Sequence, residues 1–316
     1  MATVAITGAT GFVGSNIAEV LALLGHRVVG LVRVSGDYPW EARVVNFADQ
    51  DDIRAALAGA DAVVHCAIAN DFTMLQQDRH RAHDAYVGLT QRVVRAAEQV
   101  GARTIYLSSD WVHDGEGHLV AEDMPANPIN IYGVLKALSE QVVADLATHG
   151  AVVRVGGVMG QHRLREMGPR TQDVGFGYFV ASVVSALRDG GTFAVWGGQN
   201  VNHIATPSLA SEIGAGIGRI ISRGAAGTFN LVGDDAVSRL ELALATCATF
   251  DLDPKQIVES PVPEAHQFPA PVPRDTSMSC VITRQQLGLE PAPVASLLAA
   301  FRREWDSGQV SPLTTS

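Results

Sequence analysis

Cysteine is scarce in this chain of 316 residues. The three present, Cys66, Cys247 and Cys280, are far apart, odd in number and without CxxC spacing. This excludes a disulfide framework and fits a reducing compartment, with buried free thiols as the plain reading. Long apolar runs are also missing. No uninterrupted stretch reaches the ~20 residues that a membrane helix needs, and the opening MATVAITGAT enters a strand pattern at once, without a charged leader. The expectation is a cytoplasmic protein with no membrane partner. Positive charge is short as well: 23 Lys and Arg stand against 33 Asp and Glu, a net charge of -10, with no basic cluster to meet nucleic-acid phosphates. The ten histidines are scattered. His80 and His83 share a helical face but have no third ligand near them in sequence, so no metal is expected.

What is abundant is apolar character, 47% of residues against 18% charged, enough for a large core. Short β-branched runs at Val4–Thr7, Arg27–Val32, Ala62–Cys66, Thr104–Leu107 and Ala151–Val155 alternate with helical patterns at Gly14–Leu24, Gln50–Ala58, Ala82–Val100 and Tyr132–Thr148. Strands apolar on both faces, separated by helices, predict a doubly wound parallel α/β sheet, a Rossmann fold. Beyond Gly160 the pattern loosens through 161–177. It then yields a helix near Tyr178–Arg188, a strand at Phe193–Trp196, a helix at Leu209–Ile221, a strand at Thr228–Val232, a proline-rich stretch at Pro261–Pro273 and a closing helix at Val294–Trp305. We therefore expect a dinucleotide-binding domain in residues 1–160 with a return at about 200–232. Residues 161–199 and 233–316 are expected to form a smaller substrate-binding lobe, and the last ten residues a frayed tail.

The first strand runs directly into Thr7-Gly8-Ala9-Thr10-Gly11-Phe12-Val13-Gly14 and a helix. Glycines three apart between a strand and a helix permit a tight turn and close backbone approach to a pyrophosphate, which the free N–H groups of the helix start attract. Gly8, Thr10, Gly11, Phe12, Val13 and Gly14 are the expected phosphate cradle. About 20 residues on, where an NAD site carries Asp or Glu, the strand ends in Arg33. A guanidinium there can pair with a 2′-phosphate and stack on adenine, favouring NADP over NAD; the alternative is a solvated strand end. Asn46 and Phe47 are candidates to edge the adenine.

The stretches Ser108-Ser109-Asp110-Trp111-Val112 and Ile131-Tyr132-Gly133-Val134-Leu135-Lys136, behind that glycine loop, resemble the extended short-chain dehydrogenase/reductase family. Within it they are most similar to the dTDP-4-dehydrorhamnose reductase subgroup. Gly59–Ala67 and Arg274-Asp275-Thr276-Ser277-Met278 add to the likeness. The resemblance implies Ser109, Tyr132 and Lys136 as catalytic residues. It also implies Cys66, Ala67, Ile68 and Val158 on the cofactor, together with Tyr132 and Lys136, and Asp110, Trp111 and Arg274 on the substrate. The chemistry supports it: four residues apart on one helix face, Lys136 can stand beside the Tyr132 phenol and, with an oxidised nicotinamide, is expected to favour the phenolate. Ser109 would hold the substrate oxygen while Tyr132 passes the proton. Strand alternation turns Ser108 the other way.

Three positions depart from the family pattern: Tyr86 where relatives have Asn, Gly157 where epimerases place Asn, and Asn46 where Asp is common. Sugar-nucleotide dehydratases carry Thr-Asp-Glu where this chain has Ser109-Asp110-Trp111, and an indole cannot act as the missing base. The resemblance implies an NADP-dependent reductase of a ketone on a polar small molecule, such as a nucleotide-linked keto-sugar. The alternatives are an epimerase or dehydratase on the same scaffold, or a catalytically silent regulatory subunit, since the regulatory subunit of methionine adenosyltransferase is similar too. A homodimer through the helices 82–100 and 132–148 is implied, with Leu138, Val142 and Leu146 either in that interface or in the core.

Overall fold

Seven parallel strands form the centre of the molecule, and runs such as Ala62–His65 are buried at every position, covered on both faces. The computed structural model describes residues 1–69, 71–165 and 172–314. In chain order the first strands are β1 (Thr3–Thr7), β2 (Arg27–Val32), β3 (Glu41–Val44), β4 (Ala62–His65), β5 (Arg103–Leu107) and β6 (Ala151–Arg154). The seventh, Gly227–Asn230, pairs with β6, giving the order Gly227–Asn230, β6, β5, β4, β1, β2, β3. The order reverses between β1 and β4, and the carboxyl ends of those strands open the crevice in which such sheets bind ligands.

The helices up to residue 146 are α1 (Phe12–Leu23), α2 (Gln50–Ala56), α3 (Phe72–Gln77), α4 (Arg79–His83), α5 (Leu89–Val100) and α6 (Ile131–Leu146). On one face Ile17 and Leu21 of α1 pack with Ile213, Ile217 and Ile220 of the helix Ala210–Arg223. On the other, Ile53 and Leu57 meet Val93, Ala96 and Ala97 of α5. The helix expected at 82–100 starts earlier, at Arg79 behind an Asp78 cap, and is interrupted by a π-helical turn at Asp84–Gly88. Such a turn re-aims side chains, here Tyr86. Asn130 caps α6 by accepting from the Gly133 N–H at 3.0 Å.

A separate apolar cluster joins the helices Phe179–Arg188, Arg239–Phe250 and Val294–Ser307 through Val183, Val184, Leu242, Cys247, Leu298 and Phe301. Beside it Phe193–Gly197 pairs in parallel with Ile257–Pro261. The chain also comes back to the main sheet at Val281–Leu287, where Leu287 joins the core of the α1 face. Sequence periodicity had left this segment within the lobe, because seven residues are too few to show their partner. The tail differs as well. Val310 is buried, and the Ser311 and Thr314 N–H groups donate to the buried Glu304 and the half-buried Glu212 at 2.8 Å, so the described end is anchored by two carboxylates. Residues 166–171 of the loosely patterned segment and the last two residues of the tail lie outside the described residues. Among the described residues no helix is long and apolar enough to cross a membrane.

Candidate active site

The turn after β1 depends on its glycines. Gly8 has φ +70°, and a Cβ there would stand 2.9 Å from the Ala67 nitrogen; a Cβ on Gly14 would stand 2.2 Å from the Gly8 carbonyl oxygen. The turn therefore packs on its own backbone too closely for any side chain at these two positions. Gly11, at the N-cap of α1, has no side chain to accept from the first-turn N–H groups of Phe12, Val13 and Gly14. These donors line the cavity without a cap, as an anion site at a helix start requires.

That cavity has a volume of about 990 Å³ and runs continuously from the glycine loop to Tyr132, at the upper end of the range for small-molecule sites. At its β2 end Arg33 is exposed on the wall, with Phe47 and Ala48 nearby. Phe47 is fixed by its carbonyl, which accepts from Arg92 Nε at 2.9 Å, and Arg92 pairs with Asp84 at 2.7 Å. Gly8, Thr10, Gly11, Phe12, Val13, Gly14, Arg33, Phe47, Cys66, Ala67, Ile68, Tyr132, Lys136 and Val158 all line the cavity. Asn46 does not: its side-chain oxygen accepts from the Ala48 N–H at 3.1 Å, so the short polar side chain serves its own turn.

Ser109, Tyr132 and Lys136 meet on the cavity wall. The Lys136 ammonium, 3% exposed, donates to the Leu107 carbonyl at 2.8 Å, and burial lowers its pKa to about 8. Nζ lies 6.0 Å from the centre of the Tyr132 ring. Burial pushes Tyr132 up to about 12, against hydrogen bonding with Ser109, and the negative charges of Asp110 and Asp173 push the same way. Burial is the largest influence on Tyr132 and raises its pKa, whereas the lowering expected from sequence combines Lys136 with an oxidised nicotinamide. Ser109 Oγ accepts from the Trp111 N–H at 3.2 Å and donates to Asp110 at 2.9 Å. Burial raises Asp110 to about 6, opposed by hydrogen bonds from Thr276 and Ser109. Ser108, although on the cavity wall, turns its hydroxyl to Glu140 at 2.5 Å, and Glu140 pairs with Arg154 at 2.8 Å.

Around Tyr132 the rings of Phe72, Trp111 and Tyr86 stand edge to face at 5.7, 5.9 and 6.1 Å. Phe268 closes the set, 4.9 Å from Phe72 and 5.6 Å from Trp111. Tyr86, delivered by the π-helical turn, donates its hydroxyl to the Ala69 carbonyl at 2.9 Å and so fixes the strand-end loop that follows Ala67. Asp110 and Trp111 line the cavity. Arg274 lies off it, on the surface, where its carbonyl accepts from the His203 N–H at 2.8 Å; it contributes backbone to the lobe, not a side chain to the site. Phe72, Asp173, Tyr178 and Phe268 are wall residues that sequence reasoning did not find. No motif flags them, since each comes from a different loop or helix and only folding brings them to one place.

The chain matches the model of the RmlD substrate binding domain over residues 1–305. Among curated relatives, the probable low-salt glycan biosynthesis reductase Agl14 of Haloferax volcanii is 26% identical, covering 94% of this chain and 96% of the relative. A dTDP-4-dehydrorhamnose reductase of Mycolicibacterium smegmatis is 27% identical, covering 91% and 81%. Methionine adenosyltransferase 2 subunit beta of Rattus norvegicus is 25% identical, covering 88% and 80%. A solved dTDP-4-dehydrorhamnose reductase of Bacillus anthracis in complex with NADP shares the fold, with a TM-score of 0.78 at 20% identity, covering 96% of this chain and 99% of that one. A cofactor-sized crevice behind a glycine loop, a Ser-Tyr-Lys cluster at its far end and a family match over nearly the whole length agree: the chain belongs to the RmlD substrate binding domain family.

Proposed function

We propose that the chain is an NADP-dependent reductase that converts the ketone of a nucleotide-linked sugar to an alcohol. The observation that carries this reading is the single cavity that joins the uncapped start of α1 to Ser109, Tyr132 and Lys136. The printed activities of two relatives, a dTDP-4-dehydrorhamnose reductase and a glycan biosynthesis reductase, point the same way.

The residues fit a dinucleotide. The glycines let the turn pack closely on its own backbone at the cavity edge, and the free N–H groups of α1 that line the cavity would hold a pyrophosphate. Arg33 would pair with the 2′-phosphate. Bound there, NADPH supplies the hydride. Tyr132, with its pKa near 12, keeps its proton at neutral pH and can donate it to the substrate oxygen. Ser109 positions that oxygen by a hydrogen bond, and the Lys136 cation favours the phenolate left behind. Trp111 stands where an elimination would need a carboxylate base, which favours simple reduction over dehydration.

Residues 161–199 and 233–316 are proposed as the substrate-binding lobe. The exposed Leu138 and Leu146 on α6, which are not in the core, mark the proposed homodimer face, while Val142 packs inward. Free thiols at all three cysteines suit a cytoplasmic setting. The test is NADPH consumption with dTDP-4-dehydrorhamnose as substrate. One NADPH should be oxidised per alcohol formed, and Tyr132→Phe should lower kcat by about 10²- to 10⁴-fold. Product formation with no net change in NADPH, or full activity of Tyr132→Phe, contradicts the assignment.

A further inference from the structure

Among the described residues, three aspartates line the cavity, and they differ in what their carboxylates do. Asp84 is held by Arg92 at 2.7 Å. Asp110 is buried, 6% exposed, and takes the Ser109 hydroxyl at 2.9 Å. Asp173 is exposed to the cavity that it lines. Its position is fixed twice over. The main-chain carbonyl accepts from Arg239 Nη2 at 2.8 Å, and side-chain Oδ1 accepts from the Gly177 N–H at 3.1 Å. Gly175 and Gly177 leave the space for this: a Cβ on Gly177 would collide with Asp173 Oδ2, and the place where a Gly175 Cβ would stand is 3.2 Å from Trp111 Cζ2 and 3.3 Å from Asp173 Oδ1. The carboxylate therefore sits beside the Trp111 ring, which itself faces Tyr132 at 5.9 Å.

An ionised carboxylate has acceptors and no donors, so it recognises hydroxyl or ammonium groups and repels phosphate. We propose that Asp173 is the specificity residue of this site, accepting hydrogen bonds from hydroxyl groups on the carbons next to the carbonyl that Tyr132 protonates. The substrate class that follows is a polyhydroxylated ketone, read on its sugar ring, with any diphosphate held in another part of the cavity. Trp111 and Phe268 offer the apolar surface on which the C–H face of such a ring can pack, while Asp173 takes its donors. Arg239 is a positioning residue here, because it acts on the backbone of Asp173 and does not face the ring.

This inference rests on the reductase reading and is tested so that the two can fail separately. Native protein, Asp173→Asn and Asp173→Ala are compared on dTDP-4-dehydrorhamnose and its 3-deoxy analogue, with NADPH affinity measured by fluorescence titration. Loss of a charged hydrogen bond should raise KM for the hydroxylated ketone about 10- to 100-fold in both variants. KM for the deoxy ketone should be the same in all three proteins, and NADPH affinity should not change. Asp173→Asn, nearly isosteric, carries the test if the alanine variant does not fold. Equal rises in KM for both ketones, or no rise for either, overturns the proposal while leaving the reductase intact. A native protein that binds NADPH but reduces neither ketone removes the reductase reading and the role of Asp173 with it.

Discussion

Lys136 and Tyr132 are one helical turn apart, and the Lys136 ammonium, 6.0 Å from the centre of the phenol ring, is anchored not by the phenol but by the carbonyl of Leu107 at 2.8 Å. The strand end thus sets where the positive charge lies, and α6 sets where the proton lies. Burial holds the ammonium pKa near 8, so the cation is lost as pH rises through about 8. Reduction needs that charge beside Tyr132. We expect kcat/KM to fall above about pH 8 in proportion to the uncharged fraction, and Lys136→Met to be slow at all pH values with no such inflection. A pH–rate profile of both proteins checks this.

Arg33 is exposed at the β2 end of the cavity, where replacing it disturbs nothing in the core. Arg33→Asp should weaken NADPH binding by about 2 kcal/mol or more, since a charged hydrogen bond is lost and a repulsion added. NADH binding should stay the same or tighten. Titration of each cofactor against both proteins decides, and equal native affinity for the two excludes a role in choosing NADP.

Arg239 is 2% exposed and serves four acceptors: the carbonyls of Asn202, Asp173 and Gly175 and the side chain of Gln172. Its guanidinium also lies 4.8 Å from the centre of the Phe176 ring. Arg239→Leu leaves these acceptors buried without donors, at about 1–3 kcal/mol each where water cannot enter. A loss of several kcal/mol in denaturant melts is expected. Arg239→Lys should recover only part of it, because an ammonium cannot reproduce the planar fork.

His65 is buried between Thr7 and Thr90, bonded to their hydroxyls at 2.7 and 3.2 Å, and desolvation lowers its pKa from 6.5 to about 3. Between those values the unfolded chain binds the proton and the folded one does not, so stability from this group falls as pH drops from about 6.5 to 3. Asp110, raised to about 6, runs the other way: the folded protein keeps its proton, and stability falls as pH rises from 3.8 to 6. His65→Gln should make Tm against pH shallower in the acid range. An unchanged slope would remove His65 from that balance.

The local physics of single segments was readable from the residues alone. Largely apolar runs such as Ala62–His65 specified parallel strands, because both their faces demand cover. Gly8 and Gly14 marked the cradle, because any side chain there collides with backbone. The four-residue spacing of Tyr132 and Lys136 put them on one helix face. What the order of residues could not give is how much water reaches each group, and that decided the rest. Tyr132 sits near pKa 12 because burial desolvates it, an effect that the Ser109 hydrogen bond only partly offsets. Asn46, plausible by position, turned to its own loop and Arg274 stands exposed off the cavity, while Asp173 and Phe268, without any motif, reached it. Asp173 is held there by Arg239, 66 residues later, and Phe268 arrives from the proline-rich segment to meet Phe72 of α3. Contacts between residues so far apart exist only once the tertiary fold has closed, so the sequence determined the proposed cofactor cradle and the Tyr132–Lys136 pair, and the tertiary structure alone decided which residues complete the cavity wall.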